Sequence, residues 1–154
     1  MSFLKAQNTI SGTQGKLIAT INGSVYQIGE VKSFEATVDK NKSEMKVVGK
    51  TGTQHKGSGW NGSGSMTLYY GSPIFRRMMI EYMKTGKDTY FDVTCVNEDP
   101  GSGRGKQTAT IRNVNIDSMT IAILDAESDM LEEDLDFTYD DVDILDEFGN
   151  VVYG

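Results

Sequence analysis

The chain has 154 residues, 38% hydrophobic and 24% charged, which suits one domain with a real core. No run approaches the ~18 apolar residues of a membrane helix, and the start MSFLKAQNTI lacks the apolar stretch of a signal peptide, so no membrane anchoring is expected. The net charge is −7, but residues 117–154 hold 13 acids and no Lys or Arg, which leaves 9 acids and all 15 basic residues, a net +6, in the rest.

In chain order, the polar stretch 1–15 is expected to be flexible until something binds it. KLIATI follows, with Leu17, Ala19 and Ile21 alternating onto one face. Asn22-Gly23 predicts a tight hairpin turn, with the chain returning through SVYQIG. VKSFEATV aligns Phe34, Ala36 and Val38 as a strand. DKNKSE reads as a turn, MKVVG as a short strand running into a Gly-rich segment, and MTLYY as the next strand. SPIFRRMMIEYMKTG is the clearest helix, with Ser72 as N-cap, Pro73 at the first helical position and Gly86 closing it. Ile74, Met78 and Tyr82 form one apolar row, and Phe75, Met79 and Met83 the next. That stripe is wide enough to lie across a sheet, and core packing is its expected use.

DTYFDVTCV is then a strand. Its Cys95, the only cysteine, alternates with Phe91 and Val93 and is expected as a small buried hydrophobe. NEDPGSGRG is a loop, KQTATIRNVNI a long alternating strand, SMTIAIL a further strand and DAESD a polar bend. DLDFTYDDVDIL comes last. There Leu135, Phe137 and Tyr139 share a face, and Asp140-Asp141 shifts the phase to Val142 and Ile144, the mark of a bulge or corner. Eight or nine strands and one helix give a mainly β fold. The expected architecture is two packed antiparallel sheets, a sandwich or rolled barrel, with one flanking α-helix in a single domain spanning 1–154.

The motifs of chemistry fail on inspection. A phosphate loop needs Gly five residues before its Gly-Lys pair. Gly49-Lys50 has Glu44 there, and Gly105-Lys106 has Pro100. A calcium loop could begin at Asp141-Val142-Asp143, but Leu145 and Asp146 stand where an acid and a Gly are required. His55, the only histidine, lies in the Gly-rich segment with no defined catalytic partner. Lys40, Lys42, Lys46, Lys50 and Lys56 form a loose basic series that Glu44 interrupts. No enzyme activity, metal or cofactor is expected.

Two regions remain. The acidic stretch also holds Leu131, Leu135, Phe137, Tyr139, Val142, Ile144 and Phe148, which a disordered acidic tail lacks. Its acids are expected on an ordered face that meets a basic surface on another copy or repels nucleic acid. Residues 50–65 hold the only His, the only Trp and five glycines. They read as a long hairpin arm with a mobile tip, in which Trp60 anchors a partner. The arm residues singled out are Lys50, Thr53, Gln54, His55, Lys56, Trp60 and Asn61. The alternative is a carbohydrate-binding β-sandwich that uses the Trp60 loop.

Five stretches, LKAQNTISGTQGKL, FEATVDKNKSE, TGTQHKGSGWNGSGSMTLYY, SGRG and VNIDSMTIAILDAESDMLEEDLDFTYDDVDI, resemble tail tube proteins of contractile-tailed bacteriophages, in particular those of PBSX-type defective prophages. DAESDMLEEDLDFTYDDVDI is the most specific of these, whereas DEFGNVVYG departs from the pattern and leaves the last residues without a role. The resemblance implies hexameric rings stacked into a hollow tube in a virion tail, assembled in the bacterial cytoplasm. Its partners would be further copies of itself, the tail sheath protein, and baseplate and tail terminator proteins, with DNA only as passing cargo or with a DNA-free role in envelope puncture. The arm would reach an adjacent subunit or ring. Asp117, Asp125, Glu127, Asp129, Glu132, Glu133, Asp134, Asp136, Asp140, Asp141 and Asp143 would be candidate lumen or inter-subunit acids.

Overall fold

The alternating segments of the sequence become the strands of one continuous antiparallel ladder. The structure, a computed structural model, describes residues 5–8, 12, 15–29, 31–71 and 73–149. β1 (Gly15–Ile21) and β2 (Ser24–Gln27) form the expected hairpin. Asn22 (φ 51°) and Gly23 (φ 82°) both take the left-handed conformation that such a two-residue turn requires. β1 pairs β5 (Phe91–Glu98), which pairs the 14-residue β6 (Lys106–Met119). Beyond β6 the order continues through β7 (Glu132–Tyr139) and β4 (Gln54–Tyr69) to β3 (Val31–Met45).

The roll of the sheet comes from β6, which serves two layers. Its first half pairs β8 (Asp141–Asp146) and its second half pairs β7, so these two short strands lie end to end along one edge. We call the layer of β1, β2, β5 and β8 sheet A, and that of β3, β4 and β7 sheet B. The phase shift at Asp140-Asp141 is the corner where the chain leaves sheet B for sheet A, and polar groups fix it. Asn113 sits at φ 54°, its N–H donates to Asp92 at 3.1 Å, and its side-chain amide donates to both Asp140 oxygens at 2.9 and 3.1 Å. Arg112 Nε donates to Asp143 at 2.6 Å across the same corner.

The core lies between the layers. Leu17, Ala19, Phe91, Val93, Ile111 and Val114 face Met66, Leu68, Leu135 and Phe137. The helix α1 (Ile74–Thr85) closes one side, with Phe75 buried against Phe91 at 5.5 Å between ring centroids. Gly86 (φ 77°) ends it and donates its N–H to Tyr82 O at 2.8 Å. Pro73 occupies the N-cap position rather than the first helical position, and the Ser72 cap expected from sequence lies outside the described residues. The apolar stripe divides along the helix. Ile74, Phe75 and Met78 join the core, while Ile80, Tyr82 and Met83 are exposed.

Three expected segments differ. DKNKSE is not a turn but the far half of β3, MKVVG leaves the ladder after Met45, and the Gly-rich segment is strand β4 rather than a loop. A ribbon wetted on both faces shows no apolar alternation, so its polar residues mimic a turn. SMTIAIL contributes only Ser118 and Met119 to β6, and residues 120–131 run as irregular backbone.

Candidate assembly surfaces

The first surface is the β3–β4 ribbon. The two strands stay paired from Phe34↔Met66 out to Met45↔Gln54. β7 covers β4 only from Gly62 to Tyr69, so residues 39–61 project beyond the body. This stretch is exposed on both faces almost throughout. At ~3.3 Å per residue the projecting strands reach about 25 Å. The ribbon carries Lys40, Lys42, Lys46, Lys50 and Lys56 against Asp39 and Glu44, a net +3. A lone two-stranded ribbon is marginal in water, and this one has no third strand among the described residues to support it.

The arm predicted over 50–65 is therefore the returning strand of a longer hairpin. Lys50 and Thr53 sit in the connection at its tip, and Gln54, His55 and Lys56 stand opposite Met45, Glu44 and Ser43. Trp60 is not at a mobile tip. It lies at the root opposite Lys40, 44% exposed, with its ring 6.0 Å from Tyr139 and tilted 45° to it. Trp60, Asn61, Gly62, Tyr139 and Asp140 line an open groove there. Tyr139 ties the root down, since its hydroxyl donates to Thr37 O at 2.7 Å. Burial pushes its phenol pKa up, and Asp39 adds to the effect.

The glycines also have work other than flexibility. Gly62 and Gly64 pair with Tyr139 and Phe137 across the ladder. A Cβ at Gly62 would stand 2.6 Å from the Tyr139 ring, and one at Gly64 would strike both Phe137 and the Glu35 carbonyl. The bare backbone lets both aromatic rings lie flat over β4. Gly59, at φ 145°, fits the irregularity where Asn41↔Gly59 gives way to Lys42↔Gly57.

The second surface is the outer face of sheet B. Alternation sends Phe34, Ala36, Met66, Leu68, Leu135 and Phe137 inward, and it turns Glu35, Thr37, Ser63, Ser65, Asp134 and Asp136 outward. Thr67 donates to Asp134 at 2.8 Å, and Ser118 donates to Asp136 at 3.1 Å. Carboxylates and small hydroxyls tile this face. The helix does not cover it, because α1 packs from the core side.

The candidate acids thus separate by environment. Glu133 leaves the exposed set, for it is 1% exposed on the inner face and paired with Arg76, whose guanidinium lies 4.7 Å from the Tyr70 ring centroid. Its place in the run Glu133, Leu135, Phe137, Tyr139 was the signal that sequence reading missed. Asp140 and Asp143 hold the corner, and Glu132 pairs with Lys32 at 2.7 Å. Asp134 and Asp136 lie on the outer face of sheet B. Asp117, Asp125, Glu127, Asp129 and Asp141 are exposed, the middle three together in residues 120–131.

Cys95 and His55 are not brought together. Cys95 lies on β5, half-buried, where desolvation raises its thiol pKa. His55 lies on the projecting part of β4.

The described residues thus form a rolled pair of sheets with one helix and a projecting ribbon, and among them β2, β3 and β8 each leave one edge unpaired, the kind of edge that another strand can pair. Residues 2–146 match the family model described as phage tail tube protein. The chain belongs to that family. It is 45% identical over 141 residues to the phage-like element PBSX protein XkdM of Bacillus subtilis (strain 168), covering 92% of this chain and 93% of the relative. YqbM of the same strain matches at the same identity and coverage. The fold is shared with a chain of the anti-feeding prophage cap (TM-score 0.68, 14% identity, 92% of this chain and 94% of that one). It is shared also with a chain of the sheath–tube complex of an extracellular contractile injection system (TM-score 0.64, 14% identity, 90% and 93%). The SPP1 tail tube matches at TM-score 0.60 and 13% identity, over 94% of this chain and 81% of that one.

Proposed function

We propose that the chain is the repeating structural subunit of an inner tail tube, a single domain that closes into hexameric rings which stack into a hollow conduit. The outer face of sheet B lines the lumen, and the β3–β4 ribbon reaches a neighbouring subunit or ring. The observation that carries this reading is the bare outer face of sheet B. Carboxylate-bearing and hydroxyl-tiled, with its cation Lys32 already paired to Glu132, it repels phosphate and gives a passing polyanion little to adhere to. Asp134 and Asp136 are the lumen acids, with Glu35 beside them in register.

The open strand edges are then paired around the ring, which removes an aggregation hazard. The exposed Ile80, Tyr82 and Met83 of α1 lie away from the lumen face and suit contact with a surrounding sheath. Baseplate and terminator proteins cap the two ends, and the tube conducts DNA or punctures an envelope. The role requires no catalysis. The sugar-platform alternative gains little from Trp60, whose ring leans on Tyr139 instead of standing free. Sedimentation and negative-stain images of the concentrated chain test the proposal: rings and rods are expected, and a strictly monomeric solution contradicts it.

A further inference from the structure

Two segments that read as strands find no strand partner among the described residues. One is Lys46-Val47-Val48-Gly49 at the tip of the ribbon, and the other is Thr120-Ile121-Ala122-Ile123-Leu124 in the irregular stretch 120–131. Both present bare apolar side chains. Val48 and Leu124 are fully exposed, and Val47, Ile121, Ile123 and Met130 are exposed beside them. Their charges are opposite. Residues 45–53 carry Lys46 and Lys50 and no acid, whereas residues 120–131 carry Asp125, Glu127 and Asp129 and no base.

Their positions exclude a meeting within one copy. The ribbon tip lies beyond Met45↔Gln54, at one end of β4. The acidic stretch hangs from the other end, where Tyr69 pairs Glu132, Tyr70 N–H donates to Leu131 O at 2.9 Å, and Thr120 N–H donates to Asp134 O at 3.3 Å. The 16 residues of β4 separate the two ends, about 50 Å at the usual rise of a strand. Two complementary patches at opposite ends of one subunit generate an open, head-to-tail stack.

We propose that the ribbon tip of one subunit docks on residues 120–131 of a second copy in the next ring. Val47 and Val48 cover Ile123 and Leu124, and Lys46 and Lys50 meet Asp125, Glu127 and Asp129. Each segment supplies the partner that the other lacks. This contact rests on the tube reading and names the acceptor for its arm.

A charge swap in the full chain tests it. Lys46→Glu with Lys50→Glu, and separately Asp125→Lys with Asp129→Lys, are each expected to raise the concentration needed for polymerisation by about tenfold or more, since like charges then face each other. Combining all four changes is expected to restore polymerisation. Val48→Cys with Leu124→Cys in a Cys95→Ala background provides a second readout, namely covalent ladders between copies when assembled tubes are oxidised. Double variants that polymerise like the wild type, or normal tubes that give no cross-link, overturn the contact alone. A wild-type chain that never polymerises overturns the tube reading and the contact with it.

Discussion

Glu133 and Arg76 show how one residue can be misplaced by composition and recovered by pattern. An acid among acids reads as solvent-facing, yet its parity with Leu135 and Phe137 puts it inside, and α1 supplies the cation. Removing one partner leaves the other charge, buried or largely so, without its ion pair. Arg76→Met or Glu133→Leu alone is expected to cost about 3–5 kcal/mol in urea denaturation, and the double change less than either. Gly62→Ala forces a methyl into the Tyr139 ring and is expected to cost about 1–3 kcal/mol by the same measurement. Tyr139→Phe removes the hydroxyl donor to Thr37 and is expected to cost about 1 kcal/mol at neutral pH. The folded state holds the neutral phenol more firmly than the unfolded chain does. That contribution is therefore full below the usual phenol value of 10.0 and is lost as pH rises through the elevated one, so the gap between variant and wild type closes there.

At the level of elements, the β3–β4 ribbon stands apart from the body. Deleting residues 53–62 as though they were a loop would sever β4 and remove the glycine beneath Tyr139. The clean excision removes residues 41–59 and joins the register partners Lys40 and Trp60 through Asn-Gly. It is expected to give a folded monomer with the body's thermal transition intact and no polymer. Normal tubes from this variant, judged by electron microscopy, would contradict the arm's role. Elements with one wet and one dry face were legible in the sequence. The β1–β2 hairpin, β5, β6 and the phase shift between β7 and β8 all follow from alternation and turn chemistry. The ribbon was not legible as a ribbon, because neither face is dry and only backbone pairing defines it. Residues 120–124 misled in the opposite sense, since Ile and Thr favour a strand but they join no ladder among the described residues. For the candidate site, the Lys- and Gly-rich composition pointed to the segment that proves to be the far part of β4, while register was needed to separate the outward-facing Asp134 and Asp136 from the buried Glu133.

For the whole molecule, charge and shape run in the same direction. The basic ribbon leaves one end of sheet B, acidic residues 120–131 hang from the other, and the hydroxyl-and-carboxylate face stretches between them. Polymerisation driven partly by such exposed charges weakens with salt, because screening shortens to ~3 Å at 1 M. The concentration needed for assembly is expected to rise steadily with ionic strength in light-scattering titrations. The most direct measurement is a cryo-EM reconstruction of the polymer formed by the purified chain. A hollow tube of stacked rings is expected, with Glu35, Asp134 and Asp136 lining the channel. A polymer that turns this face outward, or buries it between subunits, would contradict it.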